Sequence, residues 1–220
     1  MIKIENTQVF GWEGAIRGAR NPMNSWEKSD SKIMATSHDF DENDIPITIM
    51  KHYEIGPNDH KLLTNLCRGG TEEAKWRRMI HVQMDVTAPL YWWKEFETYK
   101  VGTVSNSCST MHKIHAKEFT LDDFSCEHLN EINMITFRSY VETTLNLNRE
   151  ACIETKDKKY WWQMIQLLPS SYNQRRTIDL NYEVLTSQYR QRKDHKLDEW
   201  HQYCDWIKTL PYSEFITMEE

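Results

Sequence analysis

Residues 89–112 read PLYWWKEFETYKVGTVSNSCSTMH, and the rest of the chain is organised around this stretch. Its first half places aromatic and charged residues at helical spacing, which predicts a short helix. Its second half is small and polar: five of the eight residues 103–110 carry a hydroxyl, and Asn106 adds an amide. Such short donors and acceptors can approach a polyanion or a cofactor closely, although an ordinary surface loop has a similar composition.

The clearest strand of the sequence leads into this stretch. Four apolar residues alternate with polar ones at positions 80–87, namely Ile80, Val82, Met84 and Val86. A period of two predicts a strand with one buried face and one face turned toward something polar. Pro89 ends this strand. A weaker alternation over residues 2–10 predicts a second strand.

Helical patterns occupy most of the remaining chain. A long polar segment, residues 21–46, is predicted to be a loop or lid. Asn58 or Asp59 is the predicted N-cap of a helix that Gly69 and Gly70 stop. The predicted helices cover residues 12–20, 58–68, 71–78, 127–147, 158–168, 173–190 and 194–208. Strands in the first half and helices in the second half indicate an α+β architecture, within a single domain of residues 1–220.

Composition excludes several classes of protein. A formal net charge of −6 argues against a protein that coats nucleic acid polymers. No apolar run is long enough to cross a bilayer, and the charged N-terminus is not a signal peptide, so a cytoplasmic protein without membrane contact is expected. The five cysteines lack paired spacing, which favours reduced thiols over a disulfide framework or a metal site. Cys108 is a candidate nucleophile or, alternatively, a small filler residue.

A second polar cluster lies between Leu168 and Arg192. Arg175 and Arg176 fall near the start of the helix predicted for residues 173–190, where free N–H groups favour an anion. Arginine adds bidentate recognition of phosphate. Arginines on a solvated helix face would give the same pattern.

Together these segments resemble the flavin-dependent (alternative) thymidylate synthases. The resemblance runs from the segment GWEGAIRGAR at residues 11–20 to about Asp205. The most specific part begins at Leu168-Pro169, after which four residues fall at the family's spacing without a gap: Arg175, Asn181, Leu185 and Arg192. The family's signature loop matches at Lys100, Thr103, Asn106 and Ser109, with one extra residue before Asn106.

The loop also departs from the family. Thr98 and Met111 stand where the family has arginine, Tyr99 where it has histidine, and Glu95 where it has glutamine. Charged contacts to phosphate or flavin are therefore missing. A divergent member with another pyrimidine-nucleotide modification, or a catalytically silent binding oligomer, is the alternative to thymidylate synthesis.

The resemblance implies a mixed or antiparallel sheet with a helical layer, and a homotetramer that binds FAD. It implies methylation of dUMP at C5, with NADPH and methylenetetrahydrofolate as co-substrates and no metal. Five residues would then line the flavin site: Tyr99, Lys100, Thr103, Asn106 and Asn181. Four would hold the nucleotide: Glu95, Ser109, Arg175 and Arg192. Ser109 and Arg192 would act in catalysis, and Arg175 would take the phosphate.

Overall fold

A computed structural model describes residues 1–40 and 46–218 of the chain. The chain divides into two compact units. The first unit comprises Met1–Thr7, Gln83–Asp179 and Arg192–Trp206, and the second comprises the described residues of Gln8–Val82, Leu180–Gln191 and Ile207–Glu220. The single domain that the sequence predicts stays a prediction.

Strands and helices alternate along the first half, and helices dominate the second. The strands are β1 (Lys3–Phe10), β2 (Lys32–Phe40), β3 (Pro46–Glu54), β4 (His81–Pro89), β5 (Val104–Ser107) and β6 (Asn173–Asn181). The α-helices are α1 (Trp12–Arg20), α2 (Pro57–Arg68), α3 (Leu90–Phe96), α4 (Thr110–Lys113), α5 (Glu131–Tyr140), α6 (Leu147–Thr155), α7 (Lys158–Leu167), α8 (Tyr182–Arg192), α9 (Asp198–Lys208) and α10 (Glu214–Thr217). This content confirms the predicted α+β class.

Four strands form a sheet in the order β1-β4-β6-β5, and β5 pairs antiparallel with β6. The strand predicted from the alternation before Pro89 is β4, and its inner residues Val82, Met84 and Val86 are buried. The other face of β4 carries the exposed Gln83 and the half-buried Asp85. The prediction of one apolar and one polar face is confirmed.

Helix α3 follows β4 directly and buries its aromatic residues. Trp92, Trp93 and Phe96 are at most 2% exposed. The centre of the Trp92 ring lies 4.8 Å from the ring centre of Trp200 on α9 and 5.6 Å from that of Tyr203. Each such aromatic pair contributes about 0.5–1.5 kcal/mol beyond the burial of its area. This packing anchors α3 and leaves the half-buried Glu95 on the open side of the helix.

A second core of the first unit lies under a long helical segment. Its buried members are Ile114, Phe119, Phe124, Val141, Leu145 and Met164. The helix predicted for residues 127–147 begins at Glu131 and continues through a π-helical segment, Val141–Asn146, into α6. Val141 and Leu145 are buried, whereas Ile132 and Ile135 are 76% and 70% exposed.

The second unit packs α1 against α2. Gly11 precedes α1 with a φ of 100°, and a Cβ there would lie 2.1 Å from the carbonyl oxygen of Met79, so only glycine fits. Trp12 packs edge-on against Tyr182 with ring centres 5.3 Å apart. The predicted N-cap of α2 is wrong: Gly56 occupies that position, and Asp59 is buried within the helix.

Asp59 is the centre of a buried polar network in the second unit. Its carboxylate accepts from Arg20 Nε at 2.6 Å, and Arg20 in turn donates to the Ser25 and Lys28 carbonyl oxygens. Burial alone would raise the pKa of Asp59, but hydrogen bonds outweigh it and hold the pKa below its usual range; the donors are Ser31, Ser29, Arg20 and Asp30. The network ties the segment after α1 to α2.

Four other predicted segments differ from the structure. The loop predicted for residues 21–46 contains β2, which pairs antiparallel with β3; residues 41–45 lie outside the described part. The helix predicted for residues 173–190 begins only at Tyr182, because residues 173–181 alternate between the two faces of the sheet as β6. The helices predicted at 71–78 and 194–208 begin later, as a 3-10 helix (Ala74–Met79) and as α9.

Candidate functional site

The last residue of α8, Arg192, is held by Glu95 of α3 in the first unit. Arg192 Nη1 donates to Glu95 Oε2 at 2.8 Å, and the two side chains are 17% and 34% exposed. Arg192 Nε donates to the Tyr99 hydroxyl oxygen at 2.9 Å. Three of the residues that the sequence assigns to the site therefore contact one another.

Two further residues complete this arrangement, which we call the Arg192 cluster: Glu95, Tyr99, Arg192, His195 and Trp200. Trp200 Nε1 donates to Glu95 Oε2 at 3.0 Å, and the Arg192 guanidinium carbon lies 4.8 Å from the Trp200 ring centre. His195 Nε2 lies 3.2 Å from the same carboxylate oxygen. Because the Leu197 N–H donates to His195 Nδ1 at 3.2 Å, a neutral His195 carries its proton on Nε2. The cluster thus fixes a guanidinium between a carboxylate and an aromatic face.

A second polar cluster spans three neighbouring strands on the partly exposed face of the sheet. Asp85 of β4 accepts from Arg175 Nη2 at 2.7 Å, from the Thr177 hydroxyl at 2.6 Å and from Asn6 Nδ2 at 2.8 Å. The hydrogen bonds from Thr177, Asn6 and Arg175 hold the pKa of Asp85 well below its usual range. We call these four residues the Asp85 cluster.

The sequence predicts that Arg175 lies near the start of a helix, but this prediction is wrong. The structure places Arg175 on β6. Its neighbour Arg176 points to the other face, where its guanidinium carbon lies 4.3 Å from the Trp93 ring centre. Arg176 Nη1 donates to Glu97 Oε1 at 2.7 Å, and its Nε donates to Gln174 Oε1 at 3.0 Å. Since successive residues of a strand point to opposite faces, the two arginines cannot act on one ligand together.

The predicted polar loop is partly regular structure. Asn106 lies on β5, exposed and opposite Thr177, and Lys100 is exposed before it. Among the residues that the structure describes, none is a hydrogen-bond partner of the buried Thr103 hydroxyl oxygen. Cys108 is exposed, and its N–H donates to the Arg175 carbonyl oxygen at 2.9 Å.

Two assigned residues also serve as helix caps. Ser109 is the N-cap of α4, and its hydroxyl oxygen accepts the N–H groups of Met111 at 3.2 Å and His112 at 3.3 Å. Its own O–H remains a donor. Asn181 belongs to the second unit, where its Oδ1 accepts the Val184 N–H at 3.1 Å.

Sequence reasoning missed His195 and Trp200, and it missed the residues that contact Arg175 in the Asp85 cluster, namely Asp85, Thr177 and Asn6. His195 follows Arg192 by three residues, and Asp85 occupies a polar position of the best-predicted strand. These were the available signals. The cross-strand contacts themselves depend on a strand order that the sequence does not give.

The remaining expectations concern metals, thiols and membranes. All five cysteines are free thiols, as expected. Among residues 1–40 and 46–218, no group of three or more metal-ligating side chains could hold an ion. None of the helices in this described part is long and apolar enough to span a membrane.

The fold is similar to that of known enzymes. No family model and no curated protein matches the sequence. A structure of the flavin-dependent thymidylate synthase ThyX from Helicobacter pylori, complexed with FAD and dUMP, matches 99% of this chain and 98% of its own, with a TM-score of 0.64 and 14% sequence identity. A second structure of ThyX from Helicobacter pylori with FAD and dUMP matches 100% and 98%, with the same score and identity. At this identity the likeness shows a flavin-dependent thymidylate synthase-like fold.

Proposed function

We propose that this chain is a flavin-dependent enzyme of the thymidylate synthase type, which methylates a pyrimidine deoxynucleotide, with dUMP as the reference substrate. The observation that carries the proposal is the Arg192 cluster, in a fold that is shared over nearly its whole length with enzymes complexed with FAD and dUMP. The resemblance independently assigns three members of this cluster, Glu95, Tyr99 and Arg192, to the flavin or nucleotide.

The residues before and on β5 fit a flavin. The buried Thr103 hydroxyl has no hydrogen-bond partner within the described part of the chain, which costs free energy. A ligand atom that accepts or donates a hydrogen bond there would remove that cost. Lys100 is exposed and can neutralise a phosphate. Asn106 offers both a donor and an acceptor on an exposed edge strand. We therefore assign these three residues to FAD, together with Tyr99.

When bound, FAD supplies redox chemistry, namely the two electrons from NADPH that turn the methylene carbon of methylenetetrahydrofolate into a methyl group. The chain's own contribution is positioning and charge. Arg192 would lie against a pyrimidine carbonyl oxygen and stabilise negative charge that develops there while C5 forms its new bond. Glu95, Trp200 and Tyr99 hold the guanidinium in place, so little reorganisation is needed. The free O–H of Ser109 can donate to the nucleotide.

A specific observation favours a second candidate, a divergent member with another pyrimidine modification. Thr98 and Tyr99 replace charged residues of the family and are engaged within the chain: the Thr98 hydroxyl donates to the Glu95 carbonyl oxygen at 2.7 Å, and the Tyr99 hydroxyl accepts from Arg192 at 2.9 Å. Neither replaces a lost positive charge. This candidate keeps the flavin and the pyrimidine but changes the product.

Flavin and nucleotide binding can be measured separately from turnover. We expect purified protein incubated with FAD to keep the yellow chromophore through gel filtration, and dUMP to perturb its visible spectrum in a saturable way. The same elution would test the homotetramer that the resemblance implies. If the protein emerges colourless and dUMP does not change the flavin spectrum, the proposed function is wrong and only the similarity of the fold remains.

A further inference from the structure

The side-chain contacts of Glu95 in the Arg192 cluster all meet at one carboxylate oxygen. Arg192 Nη1 at 2.8 Å, Trp200 Nε1 at 3.0 Å and His195 Nε2 at 3.2 Å contact Oε2. Within residues 1–40 and 46–218, no group is a hydrogen-bond partner of the other oxygen, Oε1. An ionised carboxylate accepts hydrogen bonds and cannot donate them. Because the Glu95 side chain is 34% exposed, a ligand can reach this acceptor.

Arg192 places hydrogen-bond donors beside the same acceptor. Its Nε donates to Tyr99, and its Nη1 donates to Glu95. The second N–H of Nη1 and both N–H groups of Nη2 make no hydrogen bond to any residue that the structure describes. The Trp200 ring centre lies 4.8 Å from the guanidinium carbon, which restricts the orientation of these donors. Arg192 and Glu95 therefore present donors and an acceptor side by side.

This arrangement matches the edge of a uracil base. The only donor of uracil, N3–H, lies between two carbonyl oxygens, so a guanidinium against either oxygen leaves N3–H for an adjacent acceptor. Cytosine has a single carbonyl oxygen, and the N3 beside it is an acceptor. The same placement of cytosine would set N3 against Oε1 of Glu95, so that two acceptors face each other without a hydrogen between them.

We infer that Glu95 is the specificity-determining residue for the base: its Oε1 accepts the N3–H of a pyrimidine whose carbonyl oxygen lies against Arg192. The substrate class is thereby limited to pyrimidines that carry a donor at N3. This inference rests on the proposed function, since it concerns the same site and the same base. Glutamine, which the family has at this position, carries a donor as well as an acceptor, so the acceptor-only side chain is a feature of this chain.

Titration of the full chain with three nucleotides, in the presence of excess FAD, tests the inference. The nucleotides are dUMP, dCMP and dUMP methylated at N3, which share the sugar and the phosphate and differ only in the base. We expect wild-type protein to bind dUMP at least about tenfold tighter than either of the others, because a site built to hydrogen-bond an N–H group rejects analogues that lack it. Calorimetry measures the three dissociation constants.

Glu95→Gln tests the residue itself and keeps the size of the side chain. Since three donors meet at Oε2, the amide should place its oxygen there and its NH2 group at the position of Oε1. The preference for dUMP over dCMP should then fall at least about tenfold. Glu97→Gln is the matched control, because Glu97 lies two residues further along, is 55% exposed and pairs with Arg176 instead. It should leave the preference unchanged.

The outcomes separate this inference from the proposed function. Wild-type protein that binds dCMP or the N3-methylated nucleotide as tightly as dUMP would overturn the inference and leave the proposed function intact. A Glu95→Gln variant with an unchanged preference for dUMP would do the same. The expected order of affinities without any methylated product would support the inference and count against the proposed function. Failure to bind dUMP would contradict both.

Discussion

Replacing Asp59 by asparagine should strongly destabilise the protein. The Asp59 carboxylate is completely buried and accepts five hydrogen bonds, at 2.6 to 3.1 Å, from Arg20, Ser29, Asp30 and Ser31. Asparagine has the same shape, but its amide nitrogen cannot accept, and the Arg20 charge, 5% exposed, loses its partner. Breaking a buried ion pair on one side costs about 3–5 kcal/mol.

Urea unfolding followed by tryptophan fluorescence measures this loss. With a denaturant dependence of about 2 kcal/mol/M, the midpoint should fall by about 1.5–2.5 M. Glu13→Gln, which removes a carboxylate from an exposed pair in the same unit, should shift the midpoint by less than about 0.3 M. If Asp59→Asn lies within about 1 kcal/mol of wild type, the network does not support the fold in the way that its geometry indicates.

Three other predictions follow from individual contacts. The pKa of Asp59 is lower in the folded protein than in the unfolded chain, so the stabilisation of the fold by its carboxylate is present above the unfolded pKa of about 3.9 and is lost as pH falls through the folded pKa. Between about pH 4 and 2 the urea midpoint of the wild-type protein should therefore fall more steeply than that of Asp59→Asn. Equal slopes would contradict this. Arg192→Ala should lower the turnover of dUMP at least about a hundredfold and change the affinity for FAD less than tenfold. Arg138→Ala is the control, because Arg138 is exposed, and it should change neither quantity. Steady-state assays measure turnover, and flavin titration measures the affinity for FAD. Thr103→Val should weaken FAD binding about three- to tenfold if the buried hydroxyl contacts the flavin, and an unchanged dissociation constant would remove Thr103 from the flavin site.

The two central strands show what the sequence does and does not predict. The inner positions of β4 are Val82, Met84 and Val86, all apolar, so its period of two is visible in the sequence. The inner positions of β6 include Gln174 and Arg176, and their polarity hides the same period. Arg176 is accommodated there because it stacks on Trp93 and pairs with Glu97. Partners of this kind become visible only once the chain has folded.

In the candidate site, too, some features follow from the sequence and others only from the structure. Glu95, Tyr99 and Arg192 follow from the spacing of the family resemblance, and the structure brings them into contact. Arg175 also follows from that spacing. Its pairing with Asp85 does not, because cross-strand neighbours depend on register and strand order. Sequence spacing thus identifies arginines, whereas the carboxylates that neutralise them come from the tertiary structure.

Product formation tests the central claim most directly. The full chain is incubated with FAD, NADPH, dUMP and methylenetetrahydrofolate that carries an isotope label in its methylene carbon, and the nucleotides are separated and identified by mass spectrometry. The proposed function predicts thymidine monophosphate that carries the labelled carbon, formed by wild-type protein and not by Arg192→Ala. Wild-type protein that retains FAD and binds dUMP but transfers no labelled carbon would contradict thymidylate synthesis.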